Sequence, residues 1–362
     1  MILRETKLQK YLLQKTANSI KCPDAKIYSR AMDRLANQAR PAGSLGVFEP
    51  LSARLAGIAK KIDVPLKKKI IITCAGDHGV VAEGVSVFPQ EVTAQMVYNF
   101  VNGGASVSVL AKHHGAEVKV ADLGVNHIFE PELPILHKKI RRSTNNFVHG
   151  PAMTEQEAVK SIEAGITIVN ELMAHESLDI LGTGDMGIGN TTPSTAIIAA
   201  FSGISPEKLT GRGTGIDDDQ LKNKIKIIEK GLDRNNPDPK NPIDVLTKVG
   251  GFEIGAIAGL VIGAAAHEIP VVCDGFISTA GALIACEFAP KAKKYLFASH
   301  SSVETGHSFM LNRLGLQPLF DFKFRLGEGT GAVLAMDFLN TATRILAEIK
   351  TFEEVGINNA QH

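Results

Sequence analysis

The chain has 362 residues, 44% of them hydrophobic, with 39 Lys and Arg against 38 Asp and Glu. That is enough apolar material for one large domain or two modest ones, and so balanced a charge leaves no electrostatic footprint for nucleic acid. No stretch approaches the roughly 20 apolar residues that cross a bilayer, Met1–Lys7 mixes charges too early for a signal-peptide core, and four widely spaced cysteines have no metal-like spacing, so a reduced, cytoplasmic protein is expected.

Two amphipathic patterns, Leu8–Ile20 and Ile27–Gln38, open the chain, and a third, Pro50–Ile62, follows the Pro41–Gly46 turn. From there short apolar runs alternate with longer helical periods, the signature of a parallel sheet with crossover helices. Strands are expected at Lys69–Ala75, Glu117–Leu123, Leu178–Gly182, Pro270–Asp274 and Lys294–Ser299. Most are apolar on successive positions, as strands buried on both faces are. Helices are expected at Glu91–Val101, at Glu155–Met173 (opened by the Thr154/Glu157 capping box), at Ser194–Phe201, Leu221–Lys230, Phe252–His267 and Ala280–Phe288, and over the tail Ala332–Glu348. Asp233–Pro242 reads as a surface loop. The pattern is that of an α/β protein: an open, mainly parallel, Rossmann-like sheet with flanking helices and a small helical domain made from both chain ends. The expected boundaries are 1–65 and 336–362 for the helical domain and 66–335 for the α/β domain.

Ligands bind open α/β sheets at the carboxyl ends of the strands, and glycine-rich segments follow the strands here: Gly76–Gly79, Gly182–Thr192, Asp274–Phe276 and, less rich, Ser299–Ser302. The second lacks the P-loop and dinucleotide fingerprints; it is either a phosphate cradle of backbone N–H groups or a tight structural turn. Lys222, Lys224 and Lys226 offer cations nearby, on what is otherwise a solvated helix face. Asp77, His78 and His300 show no spacing of a metal hydrolase, and Ser301, Ser302 and His307 lie in no nucleophile elbow; hydroxyls and a helix start holding a phosphate is the simpler account. The most informative segment is Phe324–Ala332, where Glu328 stands between glycines ahead of a helix. It is a base beside an anion site or a cap of that helix.

These segments together resemble the nicotinate-nucleotide:dimethylbenzimidazole phosphoribosyltransferase family. Arg40–Gly46, Ala75–Val80 with Glu83–Ser86, Pro89–Thr93, Gly187–Thr192, Asp274–Ile277 and Arg325–Gly331 follow the family's order over most of the chain. The resemblance implies a parallel-sheet α/β homodimer that needs no cofactor or metal and moves 5-phosphoribosyl from nicotinate mononucleotide to a ring nitrogen of a benzimidazole. Glu328 would be the general base, with Asp185 assisting; Phe88, Met96 and Leu326 would line the base pocket; and Gly187, Gly189, Asn190, Gly213, Lys224, Ser302 and Gly329 would surround ribose and phosphate. Asp185 stands where the family commonly carries Glu, which bears on acceptor choice. A different acceptor on the same fold, or a non-catalytic nucleotide-binding protein, are the competing readings.

Overall fold

The structure, a computed structural model, describes residues 12–213 and 215–358. Helix α1 over residues 12–19 leads to α2 (Ala25–Ala36), α3 (Phe48–Ala59) and strand β1 (Lys69–Gly76). Helices α4 (Val92–Val101) and α5 (Ser106–His113) precede β2 (Ala116–Gly124) and the short β3 (Leu136–His137). The long α6 (Glu155–His175) runs to β4 (Ile180–Met186). Then come α7 (Thr191–Ser202), α8 (Pro206–Leu209), α9 (Asp218–Asn235), α10 (Pro242–Val249) and α11 (Phe252–Ala266). The last part holds β5 (Val271–Cys273), α12 (Phe276–Phe288), β6 (Leu296–His300), α13 (Thr305–Leu314), β7 (Pro318–Phe320), α14 (Thr330–Glu348) and the single turn α15 (Phe352–Val355).

Among the described residues seven strands form one sheet in the order β3-β2-β1-β4-β5-β6-β7, with every paired neighbour parallel. This is the doubly wound order, in which the chain turns outward in both directions from the β1–β4 pair. Ile70, Ile71 and Ile72 in β1 are all buried although they alternate in face, because helices cover both sides. The five strands expected from the sequence are present. Two short edge strands, β3 and β7, join them, each too brief to show a period.

Strand β4 departs from expectation. It begins at Ile180 and runs on through Thr183-Gly184-Asp185-Met186, which pair in register with Ile72–Ala75 of β1. The sequence marks this stretch as loop because of its glycines, but the neighbouring strand supplies its hydrogen bonds, and so Asp185 is carried to the strand's carboxyl end. The expected loop Asp233–Pro242 shrinks in the same way. α9 extends to Asn235, Asn236 closes it in the left-handed region, and Asn241 caps α10 through the Ile243 and Asp244 N–H groups. Capping residues have loop-like composition, which hid both helix ends.

Helices α2, α3 and α14, near the two ends of the described residues, pack against one another. Ala31, Leu35, Ala53, Ala56 and Leu346 form a separate small core. Arg34 Nε donates to Leu346 O at 3.0 Å, Gln38 Nε2 to Ile345 O at 2.7 Å, and Ser52 Oγ to Ala342 O at 2.6 Å. The helix that receives these bonds, α14, is continuous from the strand edge at Thr330 to Glu348, so residue 336 lies inside it. Residues 8–11 of the first expected helix lie outside the described residues; within α1, Leu13 is buried and its N–H donates to Glu163 Oε1 at 3.2 Å.

Helices α6 and α11 pack backbone to backbone. A Cβ on Gly259 would lie 1.8 Å from Ile162 O, and one on Gly165 2.0 Å from Ala256 O. Alanine in an open helix position gains up to about 1 kcal/mol over glycine, but here the methyl meets a carbonyl that cannot move without its helix. Gly259→Ala is therefore expected to destabilise the protein by about 1–3 kcal/mol, the usual range for overpacking. A urea-unfolding midpoint equal to or above the wild-type value would show that the two helices separate freely.

Candidate functional site

A cavity of about 370 Å³ opens at the carboxyl edge of the sheet, over the β1–β4 switch point. Of the residues singled out from the sequence, Phe88, Met96, Asp185, Gly187, Gly189, Asn190, Gly213, Ser302, Leu326 and Glu328 line it. Lys224 stands directly behind the wall. Gly329 is not in the wall: its N–H donates to Asp274 Oδ2 at 3.1 Å.

Glu328 is held by its backbone before its side chain is considered. Its N–H donates to Asp185 O at 3.2 Å, and Thr73 Oγ1 donates to its carbonyl at 2.8 Å. These ties, from β4 and β1, leave it at φ 65, a region that non-glycine residues occupy only under such constraint. Its carboxylate Oε2 accepts the Val107 N–H, 3.1 Å away in the first turn of α5. No described residue bonds Oε1. Burial lifts its pKa above the ordinary glutamate value, and the Val107 N–H opposes the rise. Thus Glu328 does not cap its own helix. Asp274 does that for α14, accepting from Gly331 N at 2.7 Å, Ala332 N at 3.0 Å and Gly329 N.

Asp185 is buried at the same edge. Its Oδ2 accepts from Asn190 Nδ2 at 3.1 Å, and its Oδ1 has no partner among the described residues. Burial, then the charges of Asp274 and Glu253, push its pKa well above the carboxylate range. Asp274 rises to about 7, again by burial, with its three N–H donors pulling the other way. Glu253 is itself fully buried below the floor, with Oε1 2.9 Å from His78 Nε2.

On another side of the cavity lies a buried cation. Lys224 is 1% exposed, and its ammonium donates to Thr191 Oγ1 at 2.6 Å; Thr191 lines the cavity. Burial lowers its pKa to about 8, with Glu304 opposing. Glu304 accepts the Gly213 N–H at 2.9 Å through Oε1, while its Oε2 has no partner among the described residues. Of the two neighbouring lysines, Lys222 is exposed and paired with Asp219, whereas Lys224 is buried against Thr191. Ser302 offers its hydroxyl only, since its N–H is spent on His307 Nδ1 at 3.0 Å.

The remaining side is apolar and open. Phe88 and Leu326 are 47% and 55% exposed, and Met96 lines the same side of the cavity. The sequence reading did not single out Glu304, and it gave Thr191 only as part of the Gly182–Thr192 segment. A lone Glu ahead of a helix and a Thr within a Thr pair carry no spacing signal; only the fold brings them to Lys224.

With this geometry in hand, comparison with known proteins is direct. The family model DBI_PRT, described as phosphoribosyltransferase, matches residues 20–357. A nicotinate-nucleotide--dimethylbenzimidazole phosphoribosyltransferase of Geobacter sulfurreducens is 55% identical over 337 residues, covering 93% of this chain and 96% of that one. One from Geotalea uraniireducens is 54% identical over 351 residues, covering 97% and 99%. The crystal structure of the enzyme so named from Thermus thermophilus superposes with a TM-score of 0.88 at 40% identity, over 93% of this chain and all of the other.

A buried ammonium with a single hydroxyl partner is set to take an anion. Lys224→Ala is expected to weaken inorganic phosphate binding about tenfold or more, the scale of a charge-assisted hydrogen bond, while Lys222→Ala leaves it unchanged. Phosphate affinity should also fall as pH rises through about 8, where the ammonium of the free protein loses its proton. Titration calorimetry reads both, and equal effects of the two substitutions would place the anion elsewhere.

Proposed function

The chain belongs to the phosphoribosyltransferase family whose model spans it, and we propose that it transfers 5-phosphoribosyl from nicotinate mononucleotide to a ring nitrogen of 5,6-dimethylbenzimidazole or a related base. The products are α-ribazole 5′-phosphate, for assembly of the cobalamin nucleotide loop, and nicotinate. The observation that carries this reading is Glu328: one carboxylate, fixed by its backbone, with a free Oε1 facing a cavity that has an apolar slot and a buried ammonium.

The chemistry follows from these groups. The pyridinium of nicotinate mononucleotide takes the electron pair of the breaking C1′–N bond and leaves as a neutral ring, so the leaving group needs no acid. A benzimidazole lying in the slot of Phe88, Met96 and Leu326 attacks C1′ with its unprotonated nitrogen as the other nitrogen loses its proton to Glu328. Burial suits Glu328 to this task by making its carboxylate more basic. Lys224 and the hydroxyls of Thr191 and Ser302 hold the phosphate, and fixed orientation of donor against acceptor supplies several kcal/mol. Asp185, whose pKa burial and then the charges of Asp274 and Glu253 raise, lines the same cavity one methylene shorter than the Glu of the family resemblance. An open slot of Phe, Met and Leu tolerates flat bases of several shapes, so acceptor preference is a matter of fit.

The proposal includes a homodimer and a cytoplasmic location. Support for the dimer lies at the cavity mouth, where Val87, Phe88, Phe322 and Leu326 are all exposed and a second groove runs past Phe88, Leu110, Phe324 and Leu326. Apolar side chains grouped in this way are covered in most soluble proteins, and a second copy of the chain would cover them here. Sedimentation equilibrium should give twice the 38.7 kDa of one chain; a monomer at micromolar concentration would remove the dimer from the reading.

Incubation with nicotinate mononucleotide and 5,6-dimethylbenzimidazole should yield the ribotide by mass. Glu328→Gln should lower kcat by about 10²–10⁴-fold, the span of general-base catalysis, with base binding retained. The wild-type acid limb should lie above pH 4.5, because the raised pKa leaves the base protonated and idle below it, and the Gln variant should lack that limb. No ribotide from the wild type would overturn the function, and near-normal turnover by the variant would remove Glu328 from it.

A further inference from the structure

His300 is buried, lines the cavity, and takes no part in the chemistry above. Its ring is held on several sides. It stacks on Phe320 at 5.7 Å with an interplanar angle of 22°, and meets the edge of Phe324 at 5.5 Å. Gly331 packs so closely that a Cβ there would lie 2.1 Å from Nδ1.

The surrounding hydrogen bonds fix its tautomer. Ser299 Oγ lies 2.6 Å from Asp274 O and 2.8 Å from His300 Nδ1. A carbonyl brings no hydrogen, so the Ser299 hydroxyl donates to it. The bond to His300 must then run the other way, with Nδ1–H donating to Ser299 Oγ. A neutral ring therefore carries a bare lone pair on Nε2. Burial keeps the ring neutral, with a pKa of about 4. His307 has the opposite tautomer by the same logic. Ser302 N–H donates to its Nδ1, and Thr279 Oγ1, already donating to Gly275 O at 2.7 Å, accepts from its Nε2–H at 3.0 Å.

No described residue bonds His300 Nε2. It sits beside Gly275, another cavity residue, where a Cβ would be 3.5 Å away. A lone pair at that place repels carboxylate and phosphate oxygens and attracts a donor. Of the groups on nicotinate mononucleotide, the phosphate dianion and the nicotinate carboxylate have no donor; the two ribose hydroxyls do. The acceptor base has an N–H, but Glu328 receives that proton.

We propose that His300 is a substrate-binding residue whose Nε2 lone pair accepts a hydrogen bond from a ribose hydroxyl of the donor nucleotide. The inference rests on the reading of the ligand as a ribose phosphate. His300 thereby selects ribo- over deoxyribonucleotides.

The test is His300→Asn, whose amide nitrogen can keep the bond to Ser299 while nothing replaces Nε2. Wild type and variant are compared on nicotinate mononucleotide and its 2′-deoxy and 3′-deoxy analogues. The wild type should lose about tenfold in kcat/KM on one analogue, the scale of one hydrogen bond. The variant should lose that factor on the parent nucleotide and nothing further on that analogue, with the KM of the base unchanged. His300→Gln, whose amide oxygen reaches farther, should regain part of the loss, and it serves as the test variant if the Asn form does not fold. Undiminished discrimination against both deoxy analogues in a folded variant, or an effect confined to the base, would overturn the proposal. Titration with ribose 5-phosphate, 2-deoxyribose 5-phosphate and inorganic phosphate separates the two readings. A wild type without turnover whose ribose 5-phosphate affinity still drops in the variant, phosphate affinity being unchanged, refutes the reaction and keeps His300. An unaffected ribose 5-phosphate affinity refutes the role of His300.

Discussion

Strand β4 and the turn that bears Glu328 touch backbone to backbone. A Cβ on Gly184 would lie 2.1 Å from the Glu328 carbonyl oxygen. Only glycine permits that approach, and the approach makes two other bonds possible: Glu328 N–H to Asp185 O, and Thr73 Oγ1 to Glu328 O. The turn closes through residues at φ 85, 65 and 105, the outer two being Gly327 and Gly329. The middle one costs about 1 kcal/mol or more as a non-glycine residue. That strain is compensated by a carboxylate whose direction no longer depends on a flexible loop. It is aimed at the start of α5 on one side and into the cavity on the other.

The same edge concentrates acidic groups that repel one another: Asp185, Asp274 and Glu328, with Glu253 beneath. Each is accommodated differently. Asp274 takes the three free N–H groups at the start of α14, and Glu328 takes one at the start of α5, so helix ends supply the positive partial charge. Asp185 has only an amide nitrogen, so burial and then the charges of its neighbours raise its pKa well above the ordinary value. The carboxyl groups of one cluster are thus set apart by environment rather than by residue type.

Much of this was legible in the sequence. Apolar runs marked the five main strands, because parallel strands buried on both faces write their burial directly into composition. The glycine-framed Glu328 was visible for the same reason that its turn closes: only the absence of neighbouring side chains lets backbone meet backbone. Less legible was the role of each glycine. The Gly182–Met186 stretch looked like loop and is strand, since its hydrogen bonds come from β1, which no local pattern reports. Glu328 looked able to cap α14, but Asp274, far upstream in sequence, does so. Lys224 could not be told from Lys222 by spacing, because the difference is burial against Thr191, a tertiary fact.

The unspent polar atoms of the cavity bear on how the proposed donor, a sugar phosphate, would lie, without reference to any particular base. Donors gather where Lys224, Thr191 and the Ser302 hydroxyl meet the Gly213 loop, which Arg325 also approaches, with Nη1 3.5 Å from Gly213 O. One free acceptor, Glu304 Oε2, stands among these donors; the others on the cavity wall include His300 Nε2 and Oε1 of Glu328. In the proposed pose the anion lies among the donors and a hydroxyl against His300 Nε2; the reverse placement leaves the buried ammonium without an anion and sets phosphate oxygens against a lone pair. Either fault costs a buried polar group its hydrogen bond, about 1–3 kcal/mol each time, so the reversed pose is rare. The reacting carbon then faces the side that remains, where the apolar slot and Glu328 lie together.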